Sequence, residues 1–255
     1  MRILLIEDQG QLLGTVSREL AGQYGHQVIG AHNPVEARDL YHDHSFDVAL
    51  VDLLFADLTH RFDGARNAAT VSLTANTLLV TGLTAVQDLR APGHNVPIVL
   101  WTSGEANRRL HLLFAYEELA IRVFCSKASR DGTLKPLHDA LLAAVAEREH
   151  VDPVLNSYLP ADGAPKLRDT ILRRETRRAI WRALALGASS RNQIMDLTGY
   201  AVRTIGNEIP RMLDDLIVLD PGMRNAGRAP MVQVGEFAKA NWEFFLDDAV
   251  RMLYP

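Results

Sequence analysis

The chain has 255 residues, a formal charge of −4, 47% hydrophobic and 23% charged residues, the balance of an ordinary globular protein with two domains. No apolar run approaches the roughly 18 residues of a membrane span, and the start, MRILLIEDQG, is too short and too acidic for a secretory signal, so the expected compartment is the cytoplasm. A single cysteine, Cys125, excludes an internal disulfide and a cysteine-based zinc site.

The first 150 residues alternate strand-like and helix-like segments. RILLIE is an apolar run ending in acids. Gln11 to Tyr24 has helical spacing, with Leu12, Leu13, Val16 and Leu20 on one side. HQVIGA predicts a short strand, and Pro34 to His44 a short helix with proline in its first turn. FDVALVD is a third strand, VPIVLWTS a fourth and IRVFCSK a fifth, and Leu134 to Glu149 closes as a helix. Strands alternating with helices imply a doubly wound, five-stranded parallel sheet covered on both faces. Residues 55–80 do not fit this rhythm: a segment of that length between a strand and the helix TGLTAVQDLR reads as an insertion, partly helical, near the functional edge of the sheet. VDPVLNSYLPADGAPKLRD, rich in proline, reads as a linker over 150–168, so the expected domains are 1–149 and 169–255.

In such a sheet the carboxyl ends of the strands share one edge, where ligands bind. That edge collects Glu7 and Asp8 after the first strand, Asp52 after the third, Thr102 after the fourth and Lys127 after the fifth. Clustered carboxylates repel unless a cation lies between them, and Mg²⁺ suits an all-oxygen set. With a hydroxyl and an ammonium alongside, the set suits phosphoryl transfer onto Asp52. A haloacid-dehalogenase-type phosphatase would need a second Asp two residues on, where Leu54 stands. His42 and His44 have no further ligands spaced nearby and read as a solvated helix end, and Cys125 as a buried small apolar residue.

Taken in order, these residues resemble the receiver domain of two-component response regulators over about residues 1–148. The resemblance implies phosphorylation of Asp52 by a sensor histidine kinase, with Thr102 and Lys127 as the catalytic helpers. It implies Mg²⁺ held by Asp8, Asp52 and the carbonyl of Leu54, with Glu7 completing the acid pair, and a switching aromatic at Phe124. Two features depart from the pattern: Lys127 precedes alanine rather than proline, and Asp52 is separated from Gly82 by the insertion.

The second half is basic. Between Lys166 and Pro230 stand 12 Lys/Arg and 7 Asp/Glu, a local +5 that leaves −9 for the rest and suggests a polyanionic partner. RDTILRRETRRAIWRALALG has helical spacing, with arginines expected on its outer surface. Ser190 can cap a helix carrying Ile194 and Leu197, Gly199 makes a turn, and Val202, Ile205, Ile209 and Leu213 space a second helix. Two short helices around a Gly turn read as a helix-turn-helix, presenting Arg191, Arg203, Thr204, Asn207 and Arg211 to DNA. Pro210 is expected to shorten or bend the second helix. LIVLD and MVQVG then predict two strands around PGMRNAGRAP, with Arg224 and Arg228 at the tip. QIMDLTGYAVRTIGNEIPRML with that hairpin resembles winged helix-turn-helix regulators. The tail places Trp242, Phe245, Leu246, Ala249 and Leu253 on one apolar stripe, for core packing or for pairing with a second copy.

The expected function is a DNA-binding transcriptional response regulator, not an enzyme, switched by phosphorylation and acting as a homodimer. Two alternatives stand: a receiver that answers a ligand or partner without phosphate, and an adaptor whose second domain binds protein rather than DNA.

Overall fold

The computed structural model describes residues 1–55, 79–91, 95–128, 132–220, 222 and 227–255. The inserted segment expected at 55–80 lies, except at its ends, outside the described residues, as does Arg224. Two compact units emerge: residues up to 55 with 80–159, and Leu79 with 160–255.

In the first unit Arg2–Ile6 (β1), Gln27–Ala31 (β2), Val48–Asp52 (β3), Ile98–Thr102 (β4) and Val123–Ser126 (β5) form a parallel sheet, and His150–Val151 (β6) adds a short sixth strand at its edge. The order is β2-β1-β3-β4-β5-β6. The chain winds outward from β1 to β2, then returns to β3, so the strand order reverses between β1 and β3 and opens a crevice at their carboxyl ends. The helices are Gly10–Tyr24 (α1), Pro34–Asp43 (α2), Gly82–Leu89 (α3), Arg109–Glu117 (α4) and Lys135–Val145 (α5). On one face Ile3, Leu5, Leu50, Val99 and Trp101 pack against Val16 and Leu20 of α1 and Leu137 and Leu141 of α5. β3 and β4 are buried at every residue, which is why they read as unbroken apolar runs rather than as alternation.

Helix α4 left no periodic signal in the sequence. Its residues Leu110 to Ala115 are all buried, and a helix buried all round shows no polar stripe.

The ends of the insertion are pinned together. The Gly82 amide donates to the Leu53 carbonyl at 3.0 Å, and Thr81 caps α3 through Leu83 N at 3.1 Å. A Cβ on Gly82 would lie 2.0 Å from the carbonyl oxygen of Asp52. Asp52 and Gly82, far apart in sequence, are therefore in backbone contact.

The second unit is helical: Glu175–Ala185 (α6), Arg191–Thr198 (α7), Val202–Leu219 (α8), Pro230–Ala240 (α9), Trp242–Phe245 (α10) and Asp248–Leu253 (α11). Ser190 caps α7 by accepting from Gln193 N at 3.2 Å, and Gly199 turns the chain with φ 73°, a conformation glycine adopts without a Cβ penalty. Leu79 forms a one-residue parallel bridge with Asp247.

Several expectations for this unit are corrected. LIVLD and MVQVG are helical rather than strands of a wing: the first closes α8 and the second opens α9. Ile205, Ile209, Met212 and Leu216 are buried at helical spacing, while Val218 is 56% exposed. Packing of that stripe overrides the local β-propensity. In α9 Pro230 sits at the first turn and Gln233, Val234 and Ala238 are buried, again at helical spacing. Nor does α8 end near Pro210. Pro210 is exposed, so the Gly206 carbonyl that loses its donor lies on the outer side of the helix, where water can serve it. The tail is not one helix: Trp242, Phe245, Leu246 and Ala249 are buried across two short helices, but Leu253 is 48% exposed. Of the two apolar residues singled out on α7, Ile194 is buried and Leu197 is 41% exposed.

Gly82→Ala forces the Asp52 carbonyl aside and is expected to destabilise the first unit by about 1–3 kcal/mol. Gly22→Ala, in open space within α1, is expected to be neutral or stabilising by up to about 1 kcal/mol. Urea unfolding of the two variants beside the parent checks the contrast.

Candidate functional site

The strand ends deliver the predicted residues to one pocket. Glu7 is wholly buried, and its oxygens accept from Gln9 N at 3.1 Å and from Lys127 Nζ at 2.7 Å. The same ammonium lies 2.9 Å from Asp52 Oδ2. β3 and β4 pair Asp52 with Trp101, and β4 and β5 pair Thr102 with Ser126. The Lys127 amide then donates to the Thr102 carbonyl at 2.7 Å. A cavity of about 270 Å³ opens over Asp52, Leu54, Thr102 and Lys127, with Gln9, Glu105 and Arg108 among its other walls. Asp8 completes the group: Glu7, Asp8 and Asp52 each place a carboxylate oxygen within 4.8 Å of the others.

The electrostatics follow from burial. Desolvation pushes the Asp52 carboxyl from 3.8 up to about 7; Lys127 pulls it down, and Glu7 and Asp8 push it further up. Glu7 is raised for the same first reason, against the pull of Lys127. One ammonium thus serves two buried carboxylates with a third beside them, and an all-oxygen set of this kind fits a hard divalent cation.

Phe124 is fully buried in β5, its ring tilted against Tyr116 with centroids 6.5 Å apart. Cys125 is buried and its thiol is pushed up to about 12, first by burial, so it is inert at neutral pH. His42 and His44 are exposed at the end of α2. Sequence reasoning missed Trp101, whose ring centroid lies 4.9 Å from the Lys127 ammonium, close enough for a cation–π contact. Its position next to Thr102 was the available signal, but only the β4–β5 packing brings the ring under the lysine.

In the second unit α7 and α8 meet around Gly199. Arg203, Thr204 and Asn207 are exposed on the outer face of α8, and Arg211 follows on that face, donating to Glu208 Oε1 at 3.0 Å. Arg191, exposed at the start of α7, lies over Gly206: a Cβ there would be 3.3 Å from its Nη1. Arg228 does not sit at a hairpin tip. It forms a two-pronged pair with Glu236 of α9 at 2.8 and 2.7 Å.

The arginines of α6 are not all on its surface. Arg177 is 4% exposed and holds Glu208 at 2.7 Å and Asp215 of the same helix. Burial pushes Glu208 up, but the hydrogen bonds from Arg177 and Arg211 outweigh it and keep the carboxyl below its usual range. Asp215 is raised, because burial exceeds what Arg177 returns.

No protein-family model and no curated protein matches the chain. Among solved structures, the two-component response regulator RcsB, in a complex with DNA, matches 94% of this chain and 98% of its own at TM-score 0.54 and 14% identity. The chain shares its fold with a response regulator. A LuxR-family two-component response regulator from Aurantimonas sp. SI85-9A1 matches 62% of this chain and 93% of its own (20% identity, TM-score 0.45). The response regulator TrrA from Thermotoga maritima, in complex with Mg²⁺-BeF, matches 55% and 97% (18% identity, TM-score 0.38). The fold shared with RcsB is a doubly wound parallel sheet followed by a helical second unit. Among the described residues no helix is long and apolar enough to cross a membrane.

The folded first unit holds the Asp52 proton up to about pH 7, against 3.8 ordinarily, so ionisation of Asp52 costs stability as pH rises through that window. In metal-free buffer with chelator, Asp52→Asn is expected to exceed the parent in stability by about 2–4 kcal/mol above that window. The gap should close as pH falls back through it. Urea midpoints across a pH series check both the sign and the window.

Proposed function

We propose that this protein is a DNA-binding transcription regulator whose receiver unit takes a phosphoryl group on Asp52 from a sensor histidine kinase. The observation that carries the reading is the Lys127 ammonium between Glu7 and Asp52 at the strand ends. Glu7 already spends one oxygen on Gln9 and the other on Lys127, so Asp8 and Asp52, with the Leu54 carbonyl, are the natural metal ligands and Glu7 the residue that positions the lysine. Held by these groups, Mg²⁺ would supply charge neutralisation for the carboxylates and for the phosphoryl oxygens. An Asp52 oxygen forms the new P–O bond as the donor's P–N bond breaks. The electron pair leaves on the imidazole nitrogen, which takes up a proton from water. Thr102, 1% exposed behind the pocket, then donates its hydroxyl to a phosphoryl oxygen, and Lys127 turns to the same group. Drawing Thr102 and Lys127 inward would shift the ends of β4 and β5, and Phe124, on β5 three residues before Lys127, would pass the change on.

The output is the α7–α8 pair, a helix-turn-helix without the expected wing. Arg203, Thr204 and Asn207 face outward on α8 and can read base edges, while Arg191 and Arg211 suit phosphates. The RcsB structure is a complex with DNA, and the same fold here supports that reading. Homodimerisation on phosphorylation would align two such helices on paired half-sites.

With Mg²⁺ and a small phosphodonor, intact mass is expected to show one added phosphate on the parent and none on Asp52→Asn. A parent that gains no phosphate sinks the phospho-switch and leaves the reading that DNA binding answers a ligand or partner. On the output side, Arg203→Ala or Asn207→Ala is expected to cost about 1–3 kcal/mol of specific DNA affinity. Arg191→Ala should weaken all sequences alike and lower the salt dependence. If the parent binds no duplex even at low salt, the second unit is a protein adaptor instead.

A further inference from the structure

The second unit contains a cavity of about 250 Å³ that the DNA-reading face does not use. Its apolar walls are Ala183 of α6 and Leu186 just after it, Leu197 of α7, and Phe245 and Leu246. The Phe245 wall is firmly held: its ring stacks on buried Trp181 with centroids 4.9 Å apart and planes 8° apart. Two guanidiniums, Arg182 and Arg251, line the same space, with the Glu175 carboxylate also on its boundary. Arg182 is pushed down to about 10, first by burial and then by the charges of Arg251 and Arg178. It donates to the Tyr254 carbonyl, which holds its head at the cavity wall. Like charges gathered against an apolar surface lower their mutual repulsion when an anion joins them.

We propose that this cavity binds a small monocarboxylate with an apolar body, its carboxylate against Arg182 and Arg251 and its body against Leu186, Leu197 and Phe245. The charge of the lining limits the anion. Among the described residues that line it, two guanidiniums and one carboxylate carry one net positive charge, which suits a carboxylate better than a phosphate dianion. The volume is just under the roughly 300–1,000 Å³ of drug-sized sites, so the occupant is a small molecule.

Its position gives the site a consequence. Leu197, Thr198 and Tyr200 line the cavity on either side of Gly199, the turn between α7 and α8. An occupant therefore touches both sides of that turn and biases the angle at which α8 is presented. This consequence rests on the DNA-binding reading; the binding itself does not, and it needs no phosphate on Asp52.

The test is calorimetric titration of the full chain with benzoate and with hexanoate, beside benzyl alcohol and inorganic phosphate. At least one carboxylate is expected to saturate in the millimolar range or tighter, with benzyl alcohol and phosphate at least about tenfold weaker. Arg251→Gln is expected to weaken that carboxylate about tenfold. Leu197→Trp, a substitution at a position 41% exposed, should fill the cavity and abolish binding while leaving both arginines in place. Circular dichroism establishes that each variant is folded, and if Arg251→Gln is not, Leu197→Trp decides. The proposal is overturned if neither carboxylate saturates, if benzyl alcohol or phosphate binds as well, or if a folded Leu197→Trp binds undiminished. Duplex DNA titrated with and without the carboxylate is a separate measurement, so failure of the DNA reading leaves the cavity result standing.

Discussion

One ammonium shared by two buried carboxylates organises the first unit. Lys127 reaches Glu7 at 2.7 Å and Asp52 at 2.9 Å. It can do so only if β1, β3 and β5 end at the same edge and β4 lies between the last two. Removing the lysine would leave two carboxylates buried without a counter-charge, which costs several kcal/mol. Even with it, Asp52 is held at about 7 rather than 3.8. The pocket is therefore short of positive charge, an arrangement that suits a hard cation. The sheet stabilises the arrangement through its apolar runs; the strand ends use some of that stability to keep a buried carboxylate in place.

The second unit applies the same logic with the opposite charge sign. Arg177 is buried in α6 and is held by two carboxylates of α8, Glu208 and Asp215. The pairing locks α8 against α6 on its inner side, which leaves Arg203, Thr204 and Asn207 displayed on its outer side. A buried ion pair contributes little net stability, yet breaking one is expensive. It specifies how the helix is rotated, and rotation decides which side chains can meet a partner.

Much of the first unit was legible in the sequence. VALVD and IVLWT are apolar at nearly every position because they are buried on both faces, and their polar ends mark the functional edge. Strand ends plus parallel topology were enough to bring Glu7, Asp8, Asp52, Thr102 and Lys127 together. The helical unit was less legible. LIVLD and MVQVG have strand-like composition but became helix, because Leu216 and Val234 extend buried stripes already established by their neighbours. Arg177 was read as surface, because a charged residue on an amphipathic helix gives no local sign that carboxylates from another helix will cover it. Trp101 and Gly82 were invisible as site residues for the same reason: each matters through a contact with a residue distant in the chain.

The sequence by itself determined the parallel sheet, the identity of the strand-end pocket, the Ser190 cap and the Gly199 turn. These depend on periodicity, on caps and on the rule that parallel strands end together, all of which act over a few residues. The tertiary structure alone decided that α8 runs through Pro210 to Leu219, that no wing is built from LIVLD and MVQVG, and that Arg177 is interior. It alone decided that Gly82 must lack a side chain so that Asp52 can keep its place across the insertion. Those outcomes turn on which surfaces meet, and the free energy of meeting surfaces is not written in any one segment.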